Sequence, residues 1–296
     1  MRTEGVSAAD VDRALSEERS LLITWLNRGT LHLVRSEDYP WLHALTTPPL
    51  LTSNSRRLRQ EGVSESAAEK GAGVIEKALA EEGPLTRPQL RERLDAAGVP
   101  TAGQALVHLL FLATLCGFAV RGPMVGREHA FVLVRDWLGE PGQVDREAAL
   151  AELARRYLVG HAPADDRDLA RWAGLPLRDA RAGLAAISKQ LVEREDGLLE
   201  LKKTPPAAPL PPPRLLGPFD PVLLGWTSRE EIVGRHKMLV TNNGIFRPFA
   251  MVKGRAVATW RLAGGKLTIE HLGEVKKKDA AALEADAARV LEFLGA

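Results

Sequence analysis

The feature that most restricts the fold is a weak internal repeat, because self-similarity at a fixed offset makes one supersecondary unit occur twice. GPLTRPQLRERLDAAGVPTAGQALVHLL, from Gly83, matches GHAPADDRDLARWAGLPLRDARAGLAAIS, from Gly160. Pro84, Thr86 and Leu90 fall on Pro163, Asp165 and Leu169, each displaced by the same number of positions. Thr86 and Asp165 are N-cap types, whose side-chain oxygens accept from the free amides of a first helical turn. Each copy therefore starts a short helix. An amphipathic helix precedes it, through Val74, Ile75, Ala78 and Leu79 or through Leu150, Leu153, Ala154, Tyr157 and Leu158. A glycine turn follows, Ala97-Gly98-Val99-Pro100 or Ala173-Gly174-Leu175-Pro176, and then a third helix through Leu106, Leu109 and Ala113 or Leu184 and Ile187.

After the third helix the period changes from helical to alternating. Residues 118–121 and 130–133 predict a hairpin turning through Gly122 and Gly126, and 191–194 with 198–201 a shorter one across Asp196-Gly197. Three helices and a hairpin make a winged helix, in which a tight helix-turn-helix braces a recognition helix for the major groove. A further hairpin, 21–26 with 30–34 around Asn27-Arg28-Gly29, follows a helix over roughly 8–18 and matches only the end of such a unit. One helix and one hairpin cannot bury a core, so this unit must lean on neighbours or be incomplete. KKTPPAAPLPPP marks a semi-rigid linker. Beyond it, strands at 249–252, 256–260 and 266–270 and a helix over 279–294 predict a small antiparallel sheet or partial barrel.

The fold class is thus α+β: tandem winged-helix units, the first incomplete, then a small antiparallel β-rich domain with a C-terminal helix. The expected domains are 1–66, the incomplete unit with connecting helices; 67–140 and 141–203, the second and third winged helices; 204–214, the linker; and 215–296, the β-rich domain. At 296 residues several small domains are natural. Cys116 is the single cysteine, which excludes an intramolecular disulfide and a multi-cysteine zinc site. No signal peptide or membrane-length apolar run is read, so the expected compartment is the cytoplasm. Histidines lack metal-like spacing, and neither a glycine-rich phosphate loop nor a Gly-x-Ser-x-Gly elbow occurs, so no cofactor or metal is expected. Net charge is only +2, so any basic face must be local.

Six segments in order carry a family likeness: WLNRGTLHLV (25–34), EDYPWLHAL (37–45), QALVHLL (104–110), PFDPVLLGW (218–226), NGIFRP (243–248) and GRAVATWR (254–261). Together they resemble the bacterial winged-helix DNA-binding family that includes the AlkZ-type and YcaQ-type DNA glycosylases, over essentially the whole chain. The resemblance implies three tandem winged helices around a channel closed by a β-rich domain. It also implies excision of bulky alkylated bases or unhooking of crosslinks, by N-glycosidic cleavage through an oxocarbenium-like transition state. The implied partner is double-stranded DNA, alkylated or crosslinked, engaged by a monomer.

The family's Gln-x-Gln or Gln-x-Asp pair belongs to the first winged helix, upstream of the wing resembling WLNRGTLHLV. The expectation is that this motif is missing, with none of Gln60, Gln89, Gln104, Gln143 and Gln190 followed by a Gln or an Asp two positions later. Either Met1 is an internal methionine of a longer reading frame, or the chain binds without cleaving. On the first wing, Arg28, Thr30, His32 and Arg35 are the expected DNA-facing residues, with Thr30 and His32 on one strand face; each could equally be ordinary wing surface. Glu37 and Asp38 could position water, although Ser36-Glu37-Asp38 also reads as a helix cap. In the C-terminal blocks Asp220, Arg229, Arg247 and Arg261 are DNA-binding candidates, the arginines as bidentate phosphate donors. Trp260 and Trp226 could stack on an extruded base, or serve as core. A transcriptional regulator binding a palindrome and a protein-binding scaffold are the competing classes.

Overall fold

The structure is a computed structural model, described here for residues 5–126, 128–140, 142–203, 209–241 and 244–295. In chain order the elements are α1 (Ala8–Ser16), β1 (Leu21–Leu26), β2 (Thr30–Arg35), α2 (Tyr39–Thr46), α3 (Pro48–Gln60), α4 (Glu65–Glu82), α5 (Arg87–Ala96), α6 (Ala105–Leu115), β3 (Ala119–Val125), β4 (Glu128–Leu133) and α7 (Val134–Leu138). There follow α8 (Arg146–His161), α9 (Asp166–Ala173), α10 (Leu177–Ala186), β5 (Leu191–Glu193), β6 (Leu199–Leu201), β7 (Arg214–Leu216), α11 (Glu230–Val233), β8 (Phe249–Val252), β9 (Arg255–Ala263), β10 (Lys266–His271) and α12 (Lys277–Leu294). The fold is mixed α and β with antiparallel sheets. Two compact units result: Val11–Ala154 with Ala173–Ile187, and Met1–Asp10 with Arg155–Trp172 and Ser188–Ala296.

In the first of these, α4, α5 and α6 close on a core of Ile75, Leu79, Leu90, Leu94, Leu106, Leu109 and Phe131, all at most 2% exposed. Asp165 caps as predicted, whereas at Thr86 the bonds run the other way, from the cap residue to Gln89. Gln89 Oε1 accepts from the Thr86 backbone amide at 2.9 Å and its hydroxyl at 2.8 Å, which starts α5. Asp165 Oδ1 accepts from the Asp168 amide at 2.8 Å, and Asp168 Oδ2 returns the bond to the Asp165 amide at 3.3 Å, which starts α9. The repeat extends one step further than periodicity indicates. Leu85, just before the first cap, bridges Phe131 in β4, and Ala164, just before the second, bridges Leu199 in β6.

The N-terminal hairpin does lean on a neighbour. β1 pairs with β2 throughout and with β3 at Ile23 and Arg121, so one sheet runs β2-β1-β3-β4. Its two faces serve two cores: Leu22, Val120 and Val132 pack with Tyr39 and Val134, whereas Trp25 and Phe131 belong with the α4–α6 cluster. The β3–β4 turn requires a correction, because the strand does not turn at Gly122 but continues through it to Val125 with a register shift between Arg121 and Met124. Gly122 sits where a Cβ would collide with Val132, so the glycine answers a close approach inside the sheet rather than a turn.

In the other unit β10-β9-β8-β7 form an antiparallel sheet. On one side lie Leu216, Leu223, Leu239, Phe246 and Phe249, and on the other Leu215, Ala250 and Ala258 meet Leu283 and Ala287 of α12. Strand β7 begins at Arg214, a residue assigned by composition to the linker; residues 204–208 of that linker lie outside the described residues. Among the described residues no helix is long and apolar enough to cross a membrane.

Candidate nucleic-acid interface

Four of the predicted contact residues fall in the first unit and five in the second. The β1–β2 turn carries the first group. Asn27 adopts φ 51° and Gly29 φ 76°, left-handed values that suit a tight hairpin, and the Gly29 amide returns to the Leu26 carbonyl at 3.0 Å. The Asn27 amide donates to Thr46 Oγ1 at 3.0 Å, fixing the turn against α2. Arg28 is thereby presented from a braced loop. As alternation predicts, Thr30 and His32 share a face, and Thr30 Oγ1 lies 3.0 Å from His32 Nε2. Thr24, opposite His32 in the register, is 1% exposed, and among the described residues neither its hydroxyl nor the buried Asn27 side-chain oxygen has a hydrogen-bond partner. Burial, reinforced by the Arg28 guanidinium, pushes His32 down to about 4, so the imidazole is neutral at pH 7. Positive charge on this hairpin therefore resides in Arg28 and Arg35, the latter 2.7 Å from the Glu37 carboxylate.

The turn is also held from the repeat. Gly174, in the glycine turn after α9, has φ 70°, and a Cβ there would stand 2.9 Å from the carbonyl carbon and oxygen of Asn27. Gly98 in the equivalent turn shares φ 70° but faces open space. Gly98→Ala is therefore expected to cost only the left-handed penalty of about 1–2 kcal/mol. Gly174→Ala adds an overpacking cost of at least about 1 kcal/mol against immovable backbone. Parallel urea titrations of the two variants measure the difference; equal midpoints would remove the proposed bracing.

The acidic candidates sit in local contacts. Ser36–Asp38 forms a 3-10 turn in which Asp38, 6% exposed, accepts from Trp41 Nε1 at 3.1 Å, and the Ser36 hydroxyl donates to the Arg19 carbonyl. One reading of the glutamines needs correcting: Gln143-Val144-Asp145 does have the Gln-x-Asp spacing. Asp145 there caps α8, taking the amides of Glu147 at 2.9 Å and Ala148 at 3.2 Å, and this segment follows the second hairpin rather than preceding the first.

In the second unit, Asp220 accepts from the Val222 amide at 2.9 Å and opens a 3-10 turn. Arg229 Nε donates to the Leu223 carbonyl at 2.6 Å while its guanidinium lies 5.1 Å from the Phe246 ring centroid. Burial and nearby Arg171 push its pKa down. Arg247 and Arg261 are exposed, and no carboxylate pairs with either among the described residues. Trp260 donates its indole N–H to the Leu216 carbonyl at 2.8 Å and packs on the α12 side of the sheet. Trp226 donates to the His161 carbonyl at 2.9 Å and meets the His161 ring edge-on. Sequence reasoning missed the anchoring of this segment: Tyr157 donates to the Gly225 carbonyl at 2.7 Å, and Asp168 Oδ1 takes the Thr227 amide at 2.8 Å and hydroxyl at 2.7 Å. A tyrosine on the apolar face of the helix before the capped one was the available signal.

The fold is thus a mixed one, with antiparallel sheets, capped helices in repeat and exposed arginines on its strands. The family model for AlkZ-like DNA glycosylases matches residues 1–293, and the chain belongs to that family. Among known proteins it is similar to an interstrand DNA cross-link repair glycosylase of Streptomyces sahachiroi, 28% identical over 311 aligned positions that cover 93% of this chain and 80% of the relative. It also superposes on the solved structure of the Streptomyces sahachiroi DNA glycosylase AlkZ with a TM-score of 0.76 and 25% identity, over 97% of this chain and 82% of that one.

Proposed function

We propose that this chain binds double-stranded DNA carrying bulky alkylated or crosslinked bases, through winged-helix units at 67–140 and 141–203 and an incomplete unit at 1–66, followed by the β-rich domain at 215–296. The observation that carries the reading is the doubled arrangement of helix, bridging residue, capped helix, third helix and hairpin, with Leu85–Phe131 in one copy and Ala164–Leu199 in the other. That is the order of a winged helix, whose third helix enters the major groove. The relative's cross-link repair activity supports damaged duplex as the ligand. Arg28, Thr30, His32 and Arg35 on the first hairpin and Asp220, Arg229, Arg247, Trp260 and Arg261 in the C-terminal domain are the proposed contact set. Its arginines supply the phosphate contacts.

Fluorescence anisotropy on duplexes with and without an N7-alkylated purine tests this, with base release scored on the same samples. Affinity is expected to fall linearly with salt on logarithmic axes. Arg28→Ala, Arg247→Ala and Arg261→Ala should each reduce the slope by about one, uniformly across sequences. Salt-insensitive or absent binding sinks the proposal. Base release from the alkylated duplex alone would make the chain an active glycosylase; binding without release would make it a lesion binder.

A further inference from the structure

The turn Pro218-Phe219-Asp220-Pro221 presents an aromatic side chain in a way that packing alone does not explain. Phe219 has φ 58°, a left-handed value unusual for any residue with a Cβ and costly for a bulky one. The chain just after it is fixed: Asp220 caps the following turn through the Val222 amide, with Pro221 at its first position. The strain does not serve burial, because Phe219 remains 49% exposed. Its ring stands 5.6 Å from that of Phe246, which is 7% exposed and anchored in the core. Phe246 in turn carries the Arg229 guanidinium. A fixed aromatic thus projects from a rigid base beside a cation.

The surroundings are apolar with a cationic fringe. Phe246 bridges Val240, and around that pairing Met238 and Ile245 are 53% and 52% exposed. Lys237 and Arg247 lie in the same stretch, with no carboxylate partner for either, or for Arg229, among the described residues. Glu230 shares a cavity of about 460 Å³ with Arg229 and Lys237, yet cations outnumber it there. Aromatic faces stack on bases while cations meet phosphates, so this surface complements a polyanion with a gap in its stack rather than another protein's apolar face.

We infer that Phe219 is a stacking wedge that fills the space left by an unstacked or extruded base in duplex DNA, with Arg229, Lys237 and Arg247 serving the flanking phosphates. This rests on the DNA-binding reading above. It goes beyond it by naming the group that senses a disrupted stack.

The test uses the full chain and duplexes with 2-aminopurine beside an abasic site, compared with intact duplexes. Wild type should prefer the abasic duplex and change the 2-aminopurine fluorescence. Phe219→Gly relieves the left-handed strain, so its melting temperature should equal or exceed that of wild type. Its preference for the abasic duplex should nevertheless fall about tenfold and the fluorescence change should vanish, with intact-duplex affinity within about twofold. Phe219→Trp should keep both signals. A Phe219→Gly variant that melts lower, or that retains the fluorescence response, overturns the wedge. Wild type binding neither duplex defeats the DNA reading itself; wild type binding both without a fluorescence change defeats only the wedge.

Discussion

Asp286→Ala is expected to lower the stability of the C-terminal domain by about 3–5 kcal/mol, the usual cost of removing one partner from a buried charge cluster. Asp286 lies on α12 and is fully buried. One carboxylate oxygen takes Arg214 at 3.2 Å and Arg289 at 2.9 Å; the other takes the backbone amide of Leu215 at 2.8 Å. That amide belongs to β7, the edge strand of its sheet, so the carboxylate replaces a missing neighbour strand and clips the end of the linker to the domain. Removing it leaves the Arg214 guanidinium, whose side chain is 17% exposed, and a buried N–H without acceptors. Arg289 is 48% exposed, so Arg289→Ala should cost under about 1 kcal/mol. Asp286→Asn, which retains an oxygen for Leu215, should fall between the two. Urea unfolding of the three variants decides it. An Asp286→Ala midpoint no lower than that of Arg289→Ala would show the cluster to be ornamental.

This cluster also marks the boundary of what the chain discloses before folding. In EADAARV, Asp286 has the spacing of any acidic residue on a solvated helix, and nothing local says that an edge strand 71 residues upstream will bury it. Local chemistry was legible. Thr86 and Asp165 announce their helices because a cap bond is made within three residues, and Asp196-Gly197 announces its hairpin because the turn places Gly197 at φ 78°, a left-handed value. The pairing of Ile23 with Arg121 was not, since a strand's alternation specifies its face but not its partner. Gly122 was misplaced for the same reason: a glycine that admits Val132 and one that turns a chain look alike until the facing strand is present. Among the candidate site residues, the Thr30–His32 pair followed from strand periodicity. The carbonyl acceptor that takes up Trp260's indole and the cap held by Asp220 depended on atoms far along the chain or on a turn type that composition does not fix.

The second large effect expected is acid lability confined to the Val11–Ala154 unit, between roughly pH 6.5 and pH 4. His32, His43 and His108 all have their pKa lowered by burial. Each has a fixed neighbour: His32 beside the Thr30 hydroxyl, His43 Nε2 3.0 Å from the Thr114 carbonyl, which favours the charged ring but is outweighed by burial, and His108 Nδ1 2.9 Å from Oδ1 of the buried Asn54. Because the unfolded chain protonates near 6.5 and the folded chain only below that, the unfolded state binds more protons throughout this window, and stability rises with pH. The contribution is complete above 6.5 and is lost as pH falls through the folded values. For His32, shifted to about 4, it amounts to at most about 3 kcal/mol. Urea midpoints should therefore decline between pH 7 and pH 5, before most carboxylates titrate, and His32→Asn should flatten part of that decline. DNA binding ought to follow a different course. With His32 neutral at pH 7, the hairpin's attraction for phosphate comes from Arg28 and Arg35, so at pH 7.5, where the protein stays folded, His32→Asn should leave the salt slope of binding unchanged, whereas Arg28→Ala should reduce it by about one. A flat midpoint from pH 7 to pH 5 in wild type, or an equal decline in the His32→Asn protein, would mean that the imidazole is solvated and charged like any surface histidine, and the bracing of this hairpin would have to be argued again.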